Sequence, residues 1–316
     1  MVAARLVATV VIAVVLARKV RLGEVLPHRD AGNTAFVIAA LAFTLLGIVL
    51  SAFRWQRVLA TLEVRSSLLQ LTRHYLASLF VGNFLPSTVG GDVLRVTRLG
   101  AETGDNAGPF ASVVLERMSG WIVLPTLTFA GLLINPTLRQ KSGSATALAA
   151  GVGVATLVAL AGVLIAAGNP RVGARISGTA GWKRFTGAIH LGVDRFRRRP
   201  ALALEVIAAG VVYQLCVIVS VFFASKALGF DRTVGFTAIL AFFPIVAIVQ
   251  TLPVTIGGLG VREGALYVFF HPLGVTTEQA ISLGVLVYAC TLMVSLIGAP
   301  AFAAGTSRRK VPSDAA

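Results

Sequence analysis

Six long apolar runs, at Val2 to Val20, Thr34 to Phe53, Pro109 to Ile134, Ala145 to Ala167, Ala201 to Ala224 and Thr277 to Phe302, decide what this chain can become. A helix of about 20 such residues crosses a hydrocarbon core of about 30 Å, and it satisfies its own backbone there. The sequence therefore predicts an all-α polytopic membrane protein, with residues 1–316 as one transmembrane domain. A chain that is 56% hydrophobic and 13% charged, with a mean hydropathy of +0.84, is not an ordinary soluble enzyme. Arg18, Lys19 and Arg21 follow the first run where a signal peptide would need a small-residue cleavage site, so that run is read as a retained helix.

Two interruptions in this pattern match each other. Leu85-Pro86-Ser87-Thr88-Val89-Gly90-Gly91 and Leu252-Pro253-Val254-Thr255-Ile256-Gly257-Gly258 agree at five positions, and Arg95 and Arg262 follow them. The offset of 167 residues also carries Asn83 onto Gln250, the run at Thr34 onto the run at Ala201, and Pro109 onto Thr276, where the last run begins. Two halves emerge, residues 1–134 and 145–303, each reading span, span, broken hairpin, span. Three crossings are an odd number, so the second copy must be upside down, the inverted repeat of secondary transporters.

The breaks are expected to be re-entrant. Pro86 and Pro253 each remove a backbone donor, and the pairs Gly90-Gly91 and Gly257-Gly258 permit left-handed dihedrals, so no helix runs through undisturbed. From Thr72 to Leu85 there is about 21 Å of helix, too short to span. Non-helical backbone at that depth must be buried in protein or line a wet cavity. Helices restarting after Gly91 and Gly258 would aim free amides into that cavity, which suits an anion, and Arg95 and Arg262 would add bidentate contacts to a phosphate.

Of the 13 acidic residues, Asp92, Glu116 and Glu263 fall inside the hydrophobic zone, with Arg95, Arg117 and Arg262 as neighbours in sequence. Leaving six such ions in lipid would cost on the order of 15–20 kcal/mol, so they must share protein and water. They either bind substrate or form a closed ion-pair network that only orients helices. Asn83, Gln250, Thr88 and Thr255 are candidates for the same site, or satisfy backbone freed by the breaks. Arg98 and Arg117 have the reach to snorkel to headgroups, and Glu205 suits the start of its helix.

Charge sets the partners and the orientation. The excess of 28 basic over 13 acidic residues comes without zinc spacing or an aromatic platform, so it is read as contact with an anionic lipid substrate and the bilayer, with no nucleic acid. With both termini cytoplasmic, cytoplasmic loops carry 15 basic residues, Arg54, Arg57, Arg65 and Arg73 among them, against 8 outside. Arg18, Lys19, Arg21 and Arg29 in the first outer loop oppose this inner-membrane orientation. The basic loop 168–200 places Trp182, Phe185, Ile189, Val193 and Phe196 at helical spacing, as in a helix lying in the inner interface. Cys216 and Cys290 lie inside spans as packing residues, and Gly151, Ala155 and Ala159 permit close helix contacts and hence a homo-oligomer.

No enzyme is expected, and no cofactor or metal. Gly-x-Ser-x-Gly, Walker, His-Glu-x-x-His and Cys-x-x-Cys patterns do not occur, and His28, His74, His190 and His271 are scattered. A membrane glycosyltransferase, the alternative, would want carboxylates gathered at one membrane face. The first outer loop offers only Glu24 and Asp30.

The strings Asn83 to Arg95, Val114-Leu115-Glu116-Arg117 and Leu252 to Gly264, with its Gly-Gly-Leu-Gly-Val-Arg-Glu-Gly core, resemble the lysylphosphatidylglycerol synthase transmembrane region, or flippase-like, family. The resemblance covers nearly the whole chain. It implies a membrane domain that translocates aminoacylated or other anionic lipids, with Arg95, Glu116, Arg117, Arg262 and Glu263 as its polar site. Larger members add a soluble aminoacyltransferase domain, whereas this chain stops shortly after Phe302, so lysyl transfer is not expected. Relatives tied to isoprenoid and glycolipid pathways leave the cargo open.

Overall fold

A computed structural model describes residues 31–83, 89–169, 181–230, 233–251 and 258–303. The run Val2 to Val20 and the break residues Pro86, Thr88, Pro253, Thr255 and Gly257 lie outside these described residues. All regular structure among the described residues is helical: α1 (Ala31–Thr61), α2 (Leu68–Gly82), α3 (Val89–Thr103), α4 (Ala107–Ile134), α5 (Thr137–Lys141), α6 (Gly143–Gly168), α7 (Gly181–Arg198), α8 (Pro200–Ala227), α9 (Phe236–Val249), α10 (Val261–Phe270), a 3-10 turn at His271–Leu273, α11 (Thr277–Leu296) and α12 (Gly298–Ala303). Helices α1, α4, α6, α8 and α11 are long and apolar enough to cross a membrane, one for each apolar run after the first.

Two boundaries differ from the hydropathy reading. Helix α1 runs on from Phe53 to Thr61, about 46 Å in all, where both arginines that end the apolar run are held in ion pairs, Arg54 in the interior and Arg57 nearer the surface. Arg54 pairs with Glu116 and Arg57 with Glu205, so the assignment of Arg54 and Arg57 to a cytoplasmic loop is corrected. The last run is two helices, with α11 ending at Leu296 and α12 starting at Gly298.

Helices α2 and α3, about 22 Å each, are too short to span and pack against each other across the first break. Ser67 caps α2 by accepting the Gln70 amide at 3.3 Å. Gly91 makes the return close, since a Cβ there would sit 2.6 Å from the Ser78 carbonyl oxygen. Helices α9 and α10 pack together across the second break, where Gly258 and Gly260 adopt φ of +72° and +81°. L side chains rarely take such angles, so α10 begins after them, with the Glu263 carboxylate accepting the Gly260 amide.

Helix α1 lies along α8, with Thr44 Oγ1 2.8 Å from Ser220 Oγ, the Ser220 hydroxyl donating to the Ala40 carbonyl, and Phe43 stacked on Phe223. Adding 167 to the bounds of α1 and α2 reproduces those of α8 and α9 to within two residues. The largest apolar cluster joins α4, α6, α8, α9, α10 and α11, with Phe242 stacked on Phe269 and edge-on to Phe270. The basic segment forms α7, and Ile189, Val193 and Phe196 pack onto neighbouring helices of the protein, while the side chains of Trp182 and Phe185 lie outside the described set. Arg195 and Arg199 pair with Glu63 at the end of α1.

Candidate functional site

Helices α1, α2, α3, α4, α8, α9, α10 and α11 line an open cavity of about 450 Å³. Its wall carries Arg54, Asp92, Arg95, Glu116, Arg117 and Arg262, among apolar residues such as Val217 and Val287. The charges come from α1, α3, α4 and α10, and they fall into two groups.

The first group is built on Glu116 of α4, which is 1% exposed. Oε2 accepts Arg95 Nη1 at 2.7 Å and Oε1 accepts Arg54 Nη2 at 3.0 Å. The Ser51 hydroxyl lies 3.2 Å from Oε1 and 2.8 Å from the Tyr75 hydroxyl. Asp92 sits three residues before Arg95 on α3, so the two share a helix face, and Arg95 Nη2 donates to Asp92 Oδ1 at 2.6 Å. The other Asp92 oxygen pairs with Arg117. The order Arg54, Glu116, Arg95, Asp92, Arg117 alternates three cations with two anions, leaving one formal positive charge over. Asp92 also lies in the first turn of α3, where the helix dipole favours an anion.

Aromatic rings and glycines hold these guanidiniums. Arg95 lies over Tyr75 at 4.5 Å and Trp55 at 5.0 Å, and Arg54 over Tyr213 at 5.1 Å, arrangements that suit a desolvated cation. Trp55 is oriented by its indole N–H, which donates to Ser112 Oγ at 2.8 Å. Gly120 and Gly210 lie alongside Arg54, where an added Cβ on either would be in ordinary contact with its Nη1 at 3.6 Å.

The second group is local. Arg262 Nη2 and Nε donate to Glu263 Oε1 at 2.6 and 3.1 Å, and Arg262 lies over Tyr288 at 5.3 Å. Glu263 packs against Gly284, where a Cβ would sit 2.6 Å from Oε1. Arg262 faces the cavity, and Glu263, 2% exposed, supports it from behind.

The structure thus brings Arg95, Arg262, Glu116, Arg117, Asp92, Asn83 and Gln250 to one cavity, with Glu263 beside it; Thr88 and Thr255 lie outside the described residues. The expected neighbour pairs Asp92–Arg95 and Arg262–Glu263 are present. Glu116 pairs with Arg54 and Arg95, and Arg117 with Asp92, where sequence adjacency joins Glu116 to Arg117. Asn83 Nδ2 donates to Ser295 Oγ at 2.8 Å, Arg98 donates to the carbonyls of Ala301 and Phe302, and Glu205 pairs with Arg57. Sequence reasoning missed Arg54, Tyr75, Tyr213 and Tyr288. The only local signal for Arg54 was its place at the very end of an apolar run.

Chemically, the wall offers guanidiniums and amides to an anion, and carboxylates already engaged by arginine. Among the described residues no three His, Cys, Asp or Glu side chains are grouped to hold a metal. Trp121 and Arg117, both on α4, line the cavity and remain solvent-accessible, so the cavity is open beside them.

Over residues 1–298 the sequence matches the family described as the lysylphosphatidylglycerol synthase TM region. No curated protein matches the chain.

Proposed function

Because the chain belongs to the lysylphosphatidylglycerol synthase TM region family, a membrane-embedded role with lipid is its premise, and we propose that it moves an anionic lipid between leaflets. The single observation that carries this reading is the arginine-rich cavity of about 450 Å³, lined by both halves of the chain. Such a volume suits a headgroup, and its opening beside the accessible Trp121 and Arg117 suits tails that stay in the bilayer. The cargo class is an anionic or aminoacylated phospholipid or a polyprenyl-phosphate-linked lipid, whose phosphate would meet Arg95, Arg262 and the helix amino-terminal amides. The two halves would be inverted copies that open alternately to each leaflet of the cytoplasmic membrane, with both termini inside. No reaction is assigned to the site.

The test is reconstitution into liposomes with labelled phospholipid or polyprenyl phosphate. An Arg95→Lys, Arg262→Lys protein keeps both charges beside Glu116 and Glu263 but loses the bidentate forks, and lipid movement is expected to slow at least tenfold. Equal rates for this variant and the wild type would count against the reading. Formation of a sugar- or aminoacyl-transfer product by the purified protein would favour an enzyme instead.

A further inference from the structure

Gly131 on α4 and Gly298 at the start of α12 are separated by the same 167 residues as the two Leu-Pro strings. Each presses on the first hairpin helix of the opposite half. A Cβ at Gly298 would run into the Leu76–Ala77 peptide of α2, and a Cβ at Gly131 would lie 2.6 Å from Ala241 N and 2.9 Å from Leu240 C on α9. The helices run antiparallel in both contacts, as the bonds from Asn83 to Ser295 and from Asn135 to Thr237 show. Were the contacts equivalent, the partner of Gly131 would be the peptide 243–244. It is the peptide 240–241, three residues short, which is about 4.5 Å of helix.

The slip has a chemical counterpart. Ser295 accepts a hydrogen bond from Asn83, and the residues at the same offset are Thr128 and Gln250. Thr128 is fully buried, and its hydroxyl has no hydrogen-bond partner, an arrangement that costs stability in this state and that a state pairing the hydroxyl would relieve. Moving α9 along α4 by three residues gives Gln250 the same relation to Thr128 that Asn83 has to Ser295. Residues three apart share a helix face, and glycine at each crossing adds no side chain of its own to the contact, while Phe242 of α9 would have to exchange its partners Phe269 and Phe270.

We propose that these are two registers of one latch, and that the protein has a second state in which they are exchanged: Gln250 bonds Thr128 while Asn83 leaves Ser295. Packed helices switch between discrete registers about one turn apart rather than deforming continuously. The purpose of the exchange rests on the transport reading, since Asn83 and Gln250 both line the cavity and the swap moves opposite walls.

Cysteine pairs test this in a Cys216→Ser, Cys290→Ser background, reconstituted and oxidised, with disulfides read by mass spectrometry. Both the Asn83→Cys, Ser295→Cys pair and the Thr128→Cys, Gln250→Cys pair are expected to close, each in its own protein. Closure of the first pair with no trace of the second under identical conditions would overturn the exchange. Thr128→Val, which removes the unpaired hydroxyl at equal volume, is expected to keep or raise the melting temperature while slowing lipid movement several-fold, and a wild-type rate would count against the proposal. If both pairs close but the parent protein moves no lipid, the transport reading falls and the exchange stands. If lipid still moves at the parent rate with the 83–295 bond closed, transport stands and the exchange loses its assigned purpose.

Discussion

Glu116 illustrates how a buried charge is tolerated in this protein, because one carboxylate answers two guanidiniums and each of those rests on aromatic faces. Glu116→Gln keeps the shape and removes the charge, leaving Arg54 without a carboxylate and Arg95 with Asp92 alone. The variant is expected to lose about 3–5 kcal/mol of stability, read as a lowered melting temperature in detergent. Arg117→Gln should differ, since that side chain is 43% exposed and an exposed ion pair contributes only about 0–1 kcal/mol. Its unfolding is therefore expected to stay near that of the parent. Asp92–Arg95 was legible in the sequence because three residues of separation put both side chains on one helix face, whereas Arg262 and Glu263, adjacent on α10, pair although neighbouring helical residues do not ordinarily face each other. The pairing of Arg54 with Glu116, 62 residues away, was not legible, because only the crossing of α1 and α4 places them face to face.

At the scale of the element, the broken hairpins were the clearest signal, since proline and paired glycines forbid an undisturbed helix whatever surrounds them. What the string did not disclose is which glycine serves a close approach. Gly91 faces the Ser78 carbonyl at a distance no Cβ tolerates, whereas Gly264, inside α10, has nothing within 4 Å of an added Cβ. Gly91→Ala is expected to destabilise by about 1–3 kcal/mol through forced movement of α3 away from α2. Gly264→Ala is expected to be neutral or to stabilise by about 0.4–1 kcal/mol by restricting the unfolded chain. Thermal unfolding of the two variants side by side checks both signs. The end of α1 was misread for a related reason, because hydropathy falls where charge begins even when the helix continues and the charge is buried.

For the whole molecule, the proposed orientation leads to a direct measurement. Arg197 lies on α7 in the basic segment, so an Arg197→Cys protein lacking its native cysteines is expected to react with a membrane-impermeant maleimide only from the cytoplasmic side. Labelling from the outer face of intact cells would reverse the topology. By itself the sequence determined that the chain is helical and crosses the membrane many times, where its helices break, and that charge gathers beside the breaks. These follow from local rules of length, apolar content and backbone geometry. Only the tertiary structure decided which helical faces meet, that Arg54 completes the charged group, and that Gly131 and Gly298 contact their partners in different registers. The physical reason is that an apolar face against lipid and one against another helix are equally hydrophobic, so the choice between them is made by packing across the fold.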